Sequence, residues 1–320
     1  MKVLGNEVLL SQIDEALRSR RLFHACIISG SKGIGKKTLA KYVATAAVCT
    51  DEGKPCGRCS GCLKSEKDVH PDIDYVRPDG TEIKVNQIRA LRSSLYTLPN
   101  EAPCRVAVIE NADSMNVNAQ NAMLNILEEP PSSVLIILIC ENESELLLTI
   151  RSRCVHFRMQ PIPESTIKDE LLKRNLDLTE EEAEAASRKS DGILGRALEF
   201  IETENEDGFT RQIIEALSNR NIIKLINLAP SLEKGVNRDA LSEIIKSVQK
   251  IMGNAAAHQS GKTNFYYSEE EQRISYKYNR KELFRMCQIC AKLIRYCESN
   301  VGVGHIVGAF VSLLSEEIDR

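Results

Sequence analysis

The stretch Arg105–Cys154 reads RVAVIENADSMNVNAQNAMLNILEEPPSSVLIILICENESELLLTIRSRC, and it decides the fold of this 320-residue chain. Its segments Arg105–Ile109 and Val134–Cys140 are short apolar runs rich in β-branched residues, which is typical of buried strands. Between them, Asn116–Leu127 repeats apolar residues at helical spacing and ends at two prolines. A strand, acidic residues, a helix, a second strand and an arginine pair favour an α/β domain that handles nucleotide at the ends of parallel strands.

The composition excludes several classes of function. The chain carries 42 Lys and Arg against 45 Asp and Glu, so any contact with DNA must come from a local basic face. The absence of tryptophan argues against an aromatic platform for stacked bases. We expect a cytoplasmic protein with no membrane partner, because no run is apolar enough to cross a bilayer and no signal-peptide core is present. The 11 cysteines then indicate metal ligands or buried thiols rather than disulfides.

A glycine-rich turn follows the first predicted strand, His24–Ser29. It reads Gly30-Ser31-Lys32-Gly33-Ile34-Gly35-Lys36-Lys37-Thr38 and opens a predicted helix. A strand, G-x-x-x-x-G-K and a helix are typical of a phosphate-binding loop, in which backbone N–H groups hold phosphate and Lys36 reaches the terminal phosphates. The next residue should be a Ser or Thr that holds magnesium, but here it is Lys37, with Thr38 one place late. We predict an ATP or ADP site with a defective magnesium ligand set; a glycine-rich turn without ligand is the alternative.

Four cysteines follow this helix within residues 49–62: Cys49, Cys56, Cys59 and Cys62. Glycines between them permit tight turns, and the spacing suits a tetrahedral zinc site with four thiolates. Such a closed ligand set leaves no open position, so the predicted zinc is structural. Disulfides and reactive thiols are the alternatives, and the expected compartment and the spacing argue against both. We do not assign His70 to the metal.

Two further groups of residues have an ordinary structural alternative. Arg89 and Arg92 lie three apart on the predicted helix Val85–Tyr96, so they share a face that can meet a phosphate backbone or simply be solvated. Three cysteines near the carboxyl terminus form a second candidate metal cluster, for which buried thiols on one helix are the favoured alternative. They are Cys287, Cys290 and Cys297.

The chain after the sheet region is predicted to be helical. Val155–Phe157 and a proline-bounded link lead out of the sheet domain, the acidic stretch Glu202–Asp207 marks a boundary, and His258–Asn279 is predicted to be a mobile loop. We predict three domains: a P-loop α/β domain with the cysteine module over 1–160, a helical lid over 161–207, and an all-α domain for oligomerisation over 208–320.

The P-loop after HA-x-x-x-x-G, the cysteine module, NAMLNILEEPP and SRC together resemble the bacterial clamp-loader subunits of the AAA+ superfamily. Within that family the chain resembles the delta-prime branch of DNA polymerase III, by motif over about the first 200 residues. The resemblance implies a RecA-like AAA+ domain, a helical lid and a helical collar that assembles a pentamer with gamma/tau and delta subunits. It also implies that the complex opens a sliding clamp and loads it onto primed DNA.

The resemblance also implies roles for single residues. In this family the SRC arginine, here Arg153, projects into the ATP site of a neighbouring subunit, where a cation stabilises transition-state charge; an ordinary surface salt bridge is the alternative. Arg196 matches a lid arginine that faces its own nucleotide. Hydrolysing members carry Asp-Glu after the strand that corresponds to Arg105–Ile109, where this chain has Glu110 and Asn111. Because an amide cannot take a proton from water, this change and Lys37 predict a subunit that does not hydrolyse ATP.

Two other functions stay open at this point. The P-loop lysine also fits an active ATPase of the gamma/tau type, which requires magnesium-dependent hydrolysis by the isolated chain. The four cysteines and the Arg89/Arg92 face also fit a zinc-module protein that binds nucleic acid, which requires tight and salt-sensitive DNA binding by the chain alone.

Overall fold

The computed structural model describes residues 3–18, 23–51, 53–131, 133–174, 178–260, 268–299 and 301–319. The chain divides into two compact units, Met1–Leu198 and Glu199–Arg320. The strands are β1 Ala25–Ser29, β2 Ile73–Val76, β3 Arg105–Ile109, β4 Val134–Cys140 and β5 Val155–Arg158. The helices before residue 190 are α1 Glu7–Arg18, α2 Lys36–Val48, α3 Ser60–Glu66, α4 Val85–Leu95, α5 Val117–Glu128, α6 Leu148–Arg151, α7 Glu164–Arg174 and α8 Glu180–Lys189.

The five strands of the described residues form one parallel sheet in the order β2-β3-β4-β1-β5. The register pairs Ala25 with Ile136 and Cys26 with Val155, so β1 lies between β4 and β5. Since all strands run in one direction, their carboxyl ends meet at a single edge of the sheet. That edge therefore receives the glycine-rich turn after β1, Glu110 after β3 and Glu141 after β4.

Alternate residues of the strands fill two cores, one on each face of the sheet. Cys26, Ile28 and their neighbours pack with α1 and α2 on one face. Ala25, Ile27 and their neighbours pack with α4 and α5 on the other. Covered faces on both sides explain why β1, β3 and β4 read as continuous apolar runs and not as alternating ones. The predicted α/β sheet domain is confirmed.

The second unit is all-helical, as predicted. Its helices are the end of α9 Leu194–Ser218, α10 Ile222–Gly235, α11 Arg238–His258, α12 Glu269–Lys277, α13 Arg280–Glu298 and α14 Val303–Asp319. They bury one apolar core that includes Leu217, Ile244, Leu283 and Phe310. No helix in the described part of the chain is long and apolar enough to span a membrane.

Two local predictions were wrong. The acidic stretch Glu202–Asp207 does not end a helix, because α9 continues through it as one helix of 25 residues. The predicted loop His258–Asn279 contains α12, whose amino terminus is capped by Ser268 and Glu271; residues 261–267 lie outside the described residues. The cysteine module also contains a short helix, α3. The division of the chain into three domains at residues 160 and 207 stays a prediction.

Candidate functional site

The glycine-rich turn has three glycines in a left-handed backbone and a lysine bonded to its carbonyls. Gly30, Gly33 and Gly35 have φ values of 147°, 82° and 107°, a region that favours glycine. The ammonium of Lys36 donates to the carbonyls of Gly30 at 2.6 Å and Ser31 at 2.9 Å. Two of its three hydrogens are thus used within the loop, and one remains for a ligand. The N-cap of α2, Gly35, provides no side-chain cap, so the first N–H groups of the helix are available to an anion.

The start of α9 contacts this loop, and the contact is made by two glycines. The N–H of Gly195 donates to the carbonyl of Gly33 at 3.0 Å. Next to this contact, Arg196 forms a 2.8 Å salt bridge with Asp191 and lines the cleft beside the loop. The cleft has a volume of 840 Å³ and is also lined by Ser31 and Lys32. The structure thus brings Arg196 and the loop together at one cleft, while its contact with a nucleotide stays a prediction.

The magnesium position of the predicted site is occupied by an ion-pair network. Lys37 Nζ lies 2.5 Å from Glu110 Oε2, and Arg77 Nε donates to Glu110 Oε1 at 2.8 Å. The Glu110 side chain is only 8% exposed. Burial by itself would raise the pKa of Glu110, but the hydrogen bonds from Lys37 and Arg77 outweigh burial and lower the pKa. Thr38 is half-buried in the first turn of α2.

The residue at the predicted general-base position adopts an unusual backbone. Asn111 has φ 52° and is exposed, and asparagine tolerates this left-handed region better than most residues. The turn that it begins presents Asp113, which accepts the N–H groups of Glu141 at 2.8 Å and Asn142 at 3.1 Å. Asp113 therefore fixes the end of β4 against the end of β3.

A polar chain that the sequence analysis missed connects β1 to the SRC turn. Ser29, the last residue of β1, donates to Glu143. The other oxygen of Glu143 lies 2.7 Å from Nδ1 of His156, and Nε2 of His156 lies 2.8 Å from the carbonyl of Arg151. These hydrogen bonds therefore connect Ser29, the residue before Gly30, to the turn that carries Arg153. Ser29 and Glu143 are 114 positions apart in the sequence, so no local pattern reveals this link.

Arg153 lies at the surface and is held by two contacts. Its guanidinium donates to the carbonyl of Thr149 at 2.9 Å and forms a 2.9 Å salt bridge with Glu128. The side chains of Arg153 and Glu128 are 36% and 49% exposed, and ion pairs of such exposure are worth about 0–1 kcal/mol. Neighbouring Cys154 packs against the sheet core, and burial raises its pKa to about 12. The turn is thus anchored by Cys154 and leaves Arg153 near the solvent.

A buried glutamine that the sequence analysis also missed supports this turn. Gln120 of α5 donates to the carbonyls of Met115 at 3.1 Å and Glu145 at 3.0 Å. Its carbonyl accepts the N–H of Leu147 at 2.7 Å. Because Gln120 is 4% exposed, these backbone groups have little access to water as a replacement partner. The motif NAQNAML therefore carries a positioning residue among its apolar positions.

The four cysteines of the module meet at one point. Their sulfur atoms all lie within 4.8 Å of one another, and the part of the chain that the structure describes has no other group of this kind. The pairs Cys49–Cys59 and Cys56–Cys62 are each 3.9 Å apart, far longer than the about 2.0 Å of a disulfide. Burial alone would raise the pKa of Cys59, but hydrogen bonds from the N–H groups of Cys62 and Thr50 and from neighbouring thiols outweigh it and lower the pKa to about 6. The cluster can hold a metal ion.

The remaining candidates from the sequence lie elsewhere. His70 is buried, and its Nδ1 accepts the N–H of Asp72 at 3.1 Å; it is not a member of the cysteine cluster. Arg89 and Arg92 do share a face, where they line a 630 Å³ groove with Asn118 and other residues. The three carboxyl-terminal cysteines form no metal cluster within the described residues and belong to the helical core of the second unit or its border: Cys287, Cys290 and Cys297.

Comparison with known proteins adds the family. Residues 5–163 match the family model described as DNA polymerase III, delta subunit. The DNA polymerase III subunit delta' of Bacillus subtilis is 36% identical over 162 residues, 50% of this chain and 49% of the relative. Residues 5–163 form a DNA polymerase III delta-family domain. The corresponding subunit of Pseudomonas aeruginosa is 37% identical over 166 residues, 51% of this chain and 50% of the relative.

The delta-family domain is also similar to the gamma subunit of the same polymerase. That of Buchnera aphidicola is 29% identical over 208 residues, 63% of this chain and 57% of the relative. The matched part of the chain is thus similar to delta' and gamma subunits of DNA polymerase III, and the chain spans about half the length of the delta' relatives that it matches. The parallel sheet with a core on each face confirms the predicted α/β class of this domain.

Solved structures give a more distant likeness. A DNA polymerase III gamma subunit-related protein of Thermotoga maritima is 16% identical and covers 96% of this chain and 99% of its own, with a TM-score of 0.41. RuvB of Thermotoga maritima, described as a Holliday junction branch migration motor, is 15% identical and covers 80% of this chain and 77% of its own, with a TM-score of 0.43.

Proposed function

We propose that this chain is a non-hydrolysing, delta-prime-type subunit of the bacterial replicative clamp loader, and that it donates Arg153 to the ATP site of a neighbouring subunit. It would act in a cytoplasmic pentamer with gamma/tau and delta subunits that loads the sliding clamp onto primed DNA. The observation that carries the proposal is an accessible SRC arginine in a chain whose own Glu110 is engaged by two cations.

The setting of Arg153 suits a residue that acts in trans. Its salt bridge with Glu128 is exposed, so exchanging that partner for a phosphate costs little. The turn beneath it is fixed by Cys154 in the core and by Gln120, so the guanidinium starts from a defined place. An arginine supplied in trans stabilises the negative charge that develops on the transferred phosphoryl group, with rate effects of about 10³–10⁵.

The chain's own site supports binding without hydrolysis. The loop offers free N–H groups and the remaining hydrogen of Lys36, which suits the phosphates of ATP or ADP. Arg196, on the wall of the cleft, is available to the same ligand. Asn111 occupies the position of the base, and an amide cannot accept the proton of an attacking water.

We assign zinc to the cysteine cluster. Four sulfurs about 2.3 Å from one zinc ion lie about 3.8 Å apart in a tetrahedron, and the observed 3.9 Å pairs fit this arrangement. Thiolate zinc sites with four cysteines are structural. Here the ion would join the end of α2 at Cys49 to the start of α3 at Cys59 and Cys62.

The decisive experiment compares complexes reconstituted from gamma/tau and delta subunits with wild-type or Arg153→Ala chain. ATP turnover is measured in the presence of clamp and primed DNA. In the Arg153→Ala complex, we expect the rate of hydrolysis at the ATP site that faces this subunit to fall about a thousandfold or more. Total ATP turnover of the complex should therefore fall by the fraction that this site contributes. The isolated chain is expected to show no magnesium-dependent hydrolysis, which separates it from the gamma/tau type.

Arg188→Ala is a matched control, because it also removes an exposed arginine that pairs with a glutamate, Glu184. Complexes with this variant should keep wild-type turnover. Unchanged turnover in an assembled Arg153→Ala complex would contradict the proposed role, as would brisk ATP hydrolysis by the isolated chain.

A further inference from the structure

Both oxygens of the carboxylate at the magnesium position are already used. Lys37 Nζ lies 2.5 Å from Glu110 Oε2, and Arg77 donates to Oε1 at 2.8 Å. Two cations against one carboxylate leave this group with a net charge of +1. Since the Glu110 side chain is 8% exposed, it has little room to turn a lone pair toward a further ligand.

A magnesium ion does not fit these residues. Magnesium takes oxygen ligands in near-octahedral geometry, and the residue after Lys36 offers an ammonium, which has three donors and no acceptor. Lys37 therefore supplies no ligand, repels a divalent cation and holds the carboxylate that would otherwise supply one. The hydroxyl expected after Lys36 is thus absent, and the carboxylate beside it is held by two cations.

The part of the site that would bind a phosphate anion is complete. The glycines keep their left-handed backbone, the start of α2 is uncapped, and Lys36 retains one free hydrogen. No salt bridge engages Lys36 within the described ranges of the chain, and its burial lowers its pKa. A buried ammonium with only carbonyl partners gains favourable electrostatic energy when an anion arrives.

We propose that the loop Gly30–Thr38 binds the diphosphate group of a nucleotide without a divalent cation, and that Lys37, held by Glu110, supplies the positive charge that a metal ion would otherwise bring. The inference rests on the nucleotide site of the proposed function and names its ligand class, a metal-free polyphosphate. It also explains how a subunit can retain nucleotide and yet lack the metal that polarises phosphate for hydrolysis.

Titration calorimetry of the full chain with ADP and with inorganic pyrophosphate tests the proposal. The titrations are run with magnesium and in magnesium-free buffer, without a chelator, so that the cysteine cluster keeps its metal. We expect both ligands to bind with dissociation constants that agree within about twofold, less than 1 kcal/mol, in the two buffers. Binding that tightens tenfold or more with magnesium overturns the inference, and so does the absence of binding in both buffers.

Three variants sharpen the result. Lys37→Thr restores a hydroxyl after Lys36 and frees one oxygen of Glu110, so its binding should weaken in magnesium-free buffer and recover with magnesium. Lys41→Thr is the matched control: it also removes a lysine of α2, one that pairs with Asp68, and its binding should stay independent of magnesium. Lys36→Ala should lose binding in both buffers. The wild-type titrations decide the question even if Lys37→Thr does not fold.

The outcome is separable from that of the proposed function. Magnesium-dependent binding without hydrolysis overturns only the metal-free site and leaves the role of Arg153 untouched. Hydrolysis by the isolated chain overturns the proposed function itself.

Discussion

The N–H of Gly195 donates to the carbonyl of Gly33 at 3.0 Å, so the first turn of α9 lies directly on the glycine-rich turn Gly30–Thr38. A Cβ on Gly195 would stand 2.5 Å from Gly33 Cα and 2.7 Å from its carbonyl oxygen, both backbone atoms. The two segments can approach this closely only because both residues are glycine. The contact gives the first prediction.

Gly195→Ala should destabilise the first unit by about 1–3 kcal/mol, because the added methyl group forces two backbone segments apart. Urea denaturation followed by circular dichroism measures the change. Gly208→Ala lies in the same helix with nothing within 4 Å of its added Cβ, and there the better helix propensity should stabilise by up to about 1 kcal/mol. Equal effects of the two substitutions would contradict the close-contact explanation.

The cysteine cluster predicts one bound zinc per chain. Cys59→Ser should release it and destabilise the first unit, since the site joins α2 to α3 and metal binding contributes directly to folding. Metal analysis by mass spectrometry, together with thermal denaturation, measures both effects. Cys287→Ser, whose sulfur contacts the carbonyl of Gln249 in the second unit, should keep the metal. A metal-free wild-type chain of unchanged stability would contradict the assignment.

Asp72 predicts an acid-sensitive stability. It is fully buried and accepts the N–H groups of Asn100 at 2.6 Å and of Glu101 and Ala102 at 2.9 Å each. Burial alone would raise its pKa, but these three donors outweigh burial and lower the pKa below the ordinary value of 3.8. A carboxyl group with a depressed folded pKa stabilises above its unfolded pKa, and the contribution is lost as pH falls through the folded value.

Asp72→Asn should therefore lower the free energy of unfolding by about 2–3 kcal/mol near neutral pH, and the difference from wild type should shrink below about pH 4. Unfolding curves in urea at several pH values measure this. Asp79→Asn, at an exposed aspartate that pairs with Lys84, should show no measurable change. A constant loss in Asp72→Asn across the acidic range would be inconsistent with the charged hydrogen-bond network.

The hydrogen bonds of the buried Gln120 indicate that this residue stabilises the segment that leads to the SRC turn. Gln120→Leu keeps the size of the side chain but leaves the carbonyls of Met115 and Glu145 and the N–H of Leu147 without it. We expect a loss of about 2–3 kcal/mol in unfolding free energy, as for other buried polar groups deprived of a partner. Hydrogen exchange should also quicken at Leu147 and its neighbours. The exposed neighbour Asn121→Leu should change neither quantity, and protection at Leu147 that is the same in both variants would argue against this role.

Short sequence patterns predicted the elements that are determined by residues close together in the sequence. The strands were found from β-branched runs, and the glycine-rich turn before α2 from the spacing of its glycines. The cysteine cluster was found because its ligands lie within residues 49–62. The continuous helix α9 was missed because its acidic turn and Gly208 read as a break, whereas one glycine costs a helix only about 1 kcal/mol. For α12 a signal was present, since Ser268 and Glu271 form a capping box.

Contacts between distant positions could not be predicted in the same way. The sequence showed separate departures at Lys37 and at the pair Glu110-Asn111, and the structure shows that Lys37 and Glu110 are partners. The polar chain through Ser29, Glu143 and His156 depends on which strands are neighbours. No short sequence pattern indicates the order of the strands in the sheet. Such pairs follow from topology, which a single sequence reveals only through resemblance.

The position of β1 between β4 and β5 has a consequence for synthesis of the chain on the ribosome. β1 pairs Ala25 with Ile136 and Cys26 with Val155, so both of its neighbours are made more than a hundred residues later. Such distant pairing delays folding, because a long loop must close first. The phosphate-binding loop is thus among the first motifs to leave the ribosome and among the last to be fixed in place. A nascent chain halted before β4 has no strand against which β1 can pair, and its apolar edge is then open to chaperones or to aggregation.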